Sequence, residues 1–221
     1  GKILINQAQT TFLSDLNNAY QYTDLKKAFS ASLAILEPAL RATQNWPDAY
    51  GESFALIALS QLAQEIQTQF DKPLSQLTHL AYQALNQARA VAERIDNAVA
   101  KTYAYGQMGQ LYERAKRHKE ALVLTRRALF WAQQIRDQLL LYRWQWQLGR
   151  ILKAQGADAE AIVALREAVK NLNLKSIREQ IVATGYSAKS FREQIAPVYV
   201  ELADLLLQQA TAHPTQHDTF L

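Results

Sequence analysis

The chain has no cysteine, so disulfides, thiolate-rich zinc sites and a cysteine nucleophile are excluded within its 221 residues. Glycine and proline are scarce, at 7 and 5 positions, too few for the turns of a barrel or a sandwich. Long apolar runs are missing: stretches such as Ala55 to Leu59 span about one helical turn, against the roughly 20 residues of a membrane span. No glycine-rich phosphate loop occurs. The carboxylate pairs Glu160 with Glu167 and Glu201 with Asp204 have the spacing of solvated helix faces, so they carry no acid–base signal. The charge balance, 24 Lys plus Arg against 20 Asp plus Glu for a net +4, demands neither a nucleic acid nor a membrane. No catalytic constellation is found; the chain is expected to be no enzyme and to hold no cofactor and no metal.

What is present is alanine, leucine and glutamine in a chain that is 49% hydrophobic. That composition predicts an all-α protein, and the length predicts one large domain or an extended array. Small residues recur at a step of 40: Ala81, Ala121 and Ala161, then Ala88, Ala128 and Ala168. Leu85 and Leu165 lie midway, with Thr125 the polar exception. Met108-Gly109 and Leu148-Gly149 share the step, each glycine 12 residues before its alanine. Two helices per 40 residues fit this rhythm, with glycine and alanine letting their axes approach to roughly 8–10 Å. Short turns are expected at Ala115 to His118 and at Gln155-Gly156-Ala157-Asp158, with Gly156 left-handed and Asp158 as a cap.

The pattern resembles the tetratricopeptide repeat. With Gly109 as the eighth position, Tyr105, Met108, Tyr112, Ala121 and Ala128 fall on the motif's aromatic, leucine, second aromatic and two alanines. With Gly149 there, Gln145, Leu148, Leu152, Ala161, Leu165 and Ala168 follow, without the first aromatic. Gln133 and Asn173 stand at the closing proline, and the period is 40 where about 34 is usual; longer helices account for the difference.

The resemblance implies an α-α superhelix of about four hairpins, at 1–46, 47–97, 98–137 and 138–181, and a capping helix over 188–211. Residues 212–221 form a tail or linker. In the first hairpin, helices are expected over 2–19 and 24–44, with a kink at Pro38 and a turn at Trp46-Pro47-Asp48. In the second, Asp71-Lys72-Pro73 breaks the helix. The last break falls at Thr184 to Ser187, before Phe191, Ile195, Val198, Leu202, Leu205 and Leu206 take up helical spacing.

Two runs narrow the likeness. Leu141 to Gly156 and Ser190 to Leu207 are similar to the repeat region of bacterial, largely cyanobacterial, CHAT proteins, which join such repeats to a C-terminal caspase-like domain. The similarity covers about residues 98–207 well and the first half loosely. In that family a His and Cys dyad carries proteolysis in the C-terminal domain; none of it maps onto this cysteine-free chain, because the dyad needs a thiolate. The resemblance therefore implies the recognition or regulatory part of a larger protein. Its partner would be a protein or peptide segment, or the caspase-like domain of the same parent chain.

The family's groove positions fall on Tyr103, Gln107 and Gln110 in the third hairpin and on Arg143, Trp146, Gln147 and Arg150 in the fourth. Arg143, Trp146 and Arg150 share a helix face. An exposed Trp between two Arg suits stacking on an aromatic or clamping of a carboxylate; the competing reading packs Trp146 among helices and leaves the arginines solvated. Trp144, Trp131, Tyr105 and Tyr112 are expected to pack. An alternative function, nucleic-acid or phosphate binding, would use the basic turn Arg114 to Lys119, but a solvated hairpin explains it as well. His213 and His217 have the i, i+4 spacing of metal ligands, which Pro214 opposes. With Gly1 first and no basic segment before an apolar one, no signal peptide is read and the chain reads as a piece of a longer protein, expected in the cytoplasm and with no membrane partner.

Overall fold

The computed structural model describes residues 22–43, 49–68, 70, 74–172 and 195–212. Every regular element among them is an α-helix: α1 (Tyr22–Thr43), α2 (Ala49–Gln67), α3 (Ser75–Arg94), α4 (Ala98–Arg114), α5 (His118–Ile135), α6 (Gln138–Ala154), α7 (Asp158–Asn171) and α8 (Ala196–Ala212). None of these helices is long and apolar enough to cross a membrane. The chain divides into two compact units, Gly1–Lys116 and Arg117–Leu221. The division falls between α4 and α5, inside the expected 98–137 pair.

Three of the turns are built alike, and a fourth shares half of the pattern. Asp96, Lys116, Arg136 and Gly156, 20 residues apart, all have positive φ, between 50° and 74°. After α3, the Asp96 N–H donates to the Glu93 carbonyl and the Asn97 N–H to that of Ala92. The same pair of bonds recurs at Arg136 with Asp137 and at Gly156 with Ala157, and the first of them at Lys116. Each pair satisfies carbonyls that a helix end leaves open and reverses the chain within three residues.

Helix starts alternate with a step of 40. Asn97 accepts from the Ala100 N–H at 2.8 Å, and Asp137 from the N–H groups of Leu139 and Leu140 at 2.9 and 3.1 Å. Arg117 and Ala157, which precede α5 and α7, make no side-chain cap. There Glu120 and Glu160 lie in the first turn instead, where the helix dipole favours negative charge. Asp158, expected as a cap, is the first residue of α7.

In the first unit α2 packs against α1, α3 and α4, and α3 against α4. Enclosed by three neighbours, α2 buries Leu56, Leu59 and Ile66 completely. Its buried polar groups are paired: Ser53 donates to the Ala88 carbonyl, and Gln64 to Ser60, both at 3.2 Å. Pro38 lies inside α1, which continues to Thr43.

In the second unit α6 and α7 form the closest pair, with α5 on α6 and α8 on α7. Gly149 makes the close approach possible. A Cβ there would stand 2.6 Å from Leu165 Cγ and 3.5 Å from the Ala161 carbonyl oxygen. The core holds Tyr142, Leu152, Ala161, Leu165 and Ala168, closed by Ile195, Val198 and Leu205 beside and on α8. α7 ends at Asn171 and Leu172 is non-helical, so the run expected to continue through Leu172 is interrupted there; residues 173–181 of that expectation lie outside the described residues. Of the capping helix expected at 188–211, the described part is α8. Residues 2–19, Trp46 to Asp48, Asp71 to Pro73, Thr184 to Ser187 and the tail with His213 and His217 lie outside the described residues.

Candidate functional site

The Asp137 cap fixes where α6 begins, and helical periodicity then sends Trp144 and Trp146 to nearly opposite sides. Trp144 is fully buried, as expected of a packing residue. Trp146 is half-buried and packs against the core of the second unit. It is enclosed on three sides. The ring of Tyr142 stacks on it with centroids 5.9 Å apart, the Arg150 guanidinium lies 4.8 Å from its centroid, and its indole N–H donates to Glu201 Oε2 of α8 at 2.8 Å. An exposed Trp146 between two arginines is therefore corrected in two respects: α8 covers its polar edge, and Arg143 lies 4.9 Å above Trp144 instead.

One turn beyond Arg150, Lys153 Nζ pairs with Asp204 Oδ2 of α8 at 3.0 Å. Glu201 and Asp204 thus both face cationic or N–H groups of α6. Asp204 is on a solvated face as expected, 52% exposed even while paired, whereas Glu201 is half-buried; the partners of both follow from the packing of α8. Burial raises the Tyr142 hydroxyl above the ordinary phenol range, Arg150 opposes that shift and Glu201 adds to it.

The two glutamines assigned to the groove are interior. Gln147 is 1% exposed, and its amide donates to Thr125 Oγ1 of α5 at 2.8 Å. Gln107, also 1% exposed, has neither end of its amide bonded. Neither offers a surface to a partner. Tyr103 and Gln110 are half-buried; Tyr103 meets Phe54 of α2 edge-on at 5.7 Å, and Phe54 in turn meets Tyr50, which is 49% exposed. Tyr105 is buried as expected, while Trp131 is only half-buried and lies edge-on to Phe130. The two sets of candidate residues belong to different units, Tyr103, Gln107 and Gln110 to the first and Arg143, Trp146, Gln147 and Arg150 to the second.

The basic turn is partly spent on local structure. Arg114 donates to Gln64 Oε1 at 3.2 Å, Arg117 Nε to Glu120 Oε1 at 2.9 Å, and Lys116 supplies the left-handed turn residue. An open cleft of about 550 Å³ lies between the first turn of α7 and α8, but Asp158 and Glu160 line it, so the positive helix end there already faces carboxylates. Among the described residues no cluster of three His, Asp or Glu could hold a metal ion. No known family model matches the chain, and no curated protein matches it.

Proposed function

We propose that the chain is a non-catalytic protein–protein interaction module, a tetratricopeptide-like array of helical hairpins that presents one face of its first helices to a peptide or partner domain. The observation that carries this reading is the cluster of buried Tyr142 with half-buried Trp146 and Arg150, and Arg143 on the same helix. Trp, Tyr and Arg are the residue types that dominate binding energy at interfaces, and here a packed helix pair holds them in place. The 20-residue spacing of the left-handed turns and the 40-residue alternation of caps support the repeat architecture. The module would be the recognition part of a longer protein with a C-terminal caspase-like domain.

Two measurements test the reading. In the source gene beyond the codon for Leu221, a continuing frame with a His and then a Cys in caspase-like context supports the protease-linked role; a stop codon overturns that part. Cross-linking in the source cells, with the native gene tagged, compares the wild type with Arg143→Glu. A reproducible protein cross-link lost in the variant at unchanged helicity is the expected result, and cross-links identical in both overturn the binding face.

A further inference from the structure

The surface of α6 and α7 in the second unit already holds a helix. α8 carries only two charged side chains, Glu201 and Asp204, three residues apart, and each meets a complementary group on α6: the Trp146 indole N–H at 2.8 Å and Lys153 Nζ at 3.0 Å. The guanidinium of Arg150 adds positive charge between them, stacked on the Trp146 ring. Between and beside these polar contacts, Val198 and Leu205 are buried to 0 and 1% exposure, with Leu202 and Leu206 partly buried against the same core. An apolar centre with complementary polar groups at its edge is the anatomy of a recognition interface, and apolar anchors at i, i+3 or i+4 are how a helix is read in a groove.

Two features set α8 apart from the other helices. The turns before α4, α5, α6 and α7 are about three residues long, whereas residues 172–195 separate α7 from α8 in sequence, so α8 is not the next member of that tight series. A helix packed on one side of a globular unit ordinarily carries charge on the other; the exposed side of α8 carries charge only at Asp204 and otherwise combines Gln208 and Gln209 with Tyr199, Val200 and Leu207, the last two about two-thirds exposed at 67 and 66%.

We propose that this face of α6 and α7 is a receptor for an amphipathic helix bearing two carboxylates three residues apart, and that α8 occupies it in cis until such a helix on a protein partner displaces it. This rests on the interaction reading above and names both the partner's chemistry and the device that controls access. The partner helix repeats the pattern of α8: apolar residues at the places of Val198, Leu202 and Leu205, and carboxylates at the places of Glu201 and Asp204.

The test uses the full 221-residue chain and a dye-labelled synthetic peptide of residues 195–212. Charge reversal of the cis helix, Glu201→Lys with Asp204→Lys, releases the face. Because a segment of the same chain competes intramolecularly, at an effective concentration on the order of mM, the peptide is expected to bind the released chain at least about tenfold more tightly than the wild type. A peptide carrying Glu201→Gln and Asp204→Asn binds the released chain several-fold more weakly, and in spectra of the chain the indole N–H signal of Trp146 moves on binding. Equal affinity for both chains, or binding indifferent to the peptide's carboxylates, overturns the proposal. Should the charge-reversed chain lose helicity, the isosteric chain Glu201→Gln with Asp204→Asn replaces it, with the same direction expected. A failed competition alongside an intact Arg143→Glu effect removes this inference and leaves the interaction reading standing.

Discussion

Gln147 and Thr125 form a wholly buried pair, the Gln147 amide donating to the Thr125 hydroxyl at 2.8 Å between α6 and α5. Forty residues earlier the same two places hold Gln107 on α4 and Leu85 on α3, and there the glutamine amide has no hydrogen-bond partner. One hydroxyl makes the difference. Thr125→Val removes it while keeping shape, and should cost about 1–3 kcal/mol by stranding a buried amide. Gln107→Met should instead be neutral or raise stability by about 1 kcal/mol, since no hydrogen bond is lost. Urea midpoints of the two variants decide; a drop of similar size in both would mean that Gln107 is satisfied after all.

Three of the four left-handed turn residues are not glycine. Arg136 sits at φ 53°, where a Cβ costs roughly 1–2 kcal/mol. Arg136→Gly should therefore stabilise the second unit by up to about 1 kcal/mol, after the added freedom of the unfolded chain is subtracted. Gly156→Ala, at φ 74° with open space around it, should cost about 1 kcal/mol for the backbone strain alone. Opposite shifts of the melting temperature are expected, and shifts of the same sign would contradict the turn geometry.

The small residues at 81, 121 and 161 were legible as packing positions because only a close contact demands a missing side chain, and all three are fully buried. The turns were half legible. Gly156 announces itself, but Asp96, Lys116 and Arg136 occupy equivalent places with residue types that carry no such signal. The helical class followed from composition, whereas the candidate site did not follow from the pattern of α6 alone. Arg143, Trp146 and Arg150 share a helix face in sequence, yet the environment of Trp146 is set by Glu201, 55 residues away. That contact depends on where α8 packs, which no local period encodes. Gln147 was assigned to the groove by its place in the resembled repeat, yet it is buried against Thr125, which the sequence shows only as a polar exception to an apolar pattern.

Gly149 is where α6 and α7 come closest. A methyl group there would meet Leu165 Cγ at 2.6 Å and Cδ2 at 2.7 Å, inside van der Waals contact. Gly149→Ala should cost about 1–3 kcal/mol through overpacking, although alanine favours the helix. The double variant with Leu165→Ala should cost less than the sum of the two single changes, because truncating Leu165 removes the clash. Additive losses in thermal denaturation would place the strain elsewhere.

Tyr142 gives the second unit an alkaline limit. In the folded chain burial keeps the phenol protonated to higher pH than usual, against the opposing pull of Arg150. Unfolding returns it to an ordinary value near about 10, so above that pH the unfolded state gives up a proton that the folded state retains. Stability from this group is fully present below about pH 10 and falls as pH rises beyond it, with a slope approaching one proton. Tyr142→Phe has no proton to release. Melting temperatures between neutral pH and about pH 11 should decline less steeply in the variant than in the wild type, the two curves differing by no more than one proton in slope. Parallel curves would mean that the Tyr142 hydroxyl titrates alike in both states, and that α8 and the stacked Trp146 ring do not shield it from water.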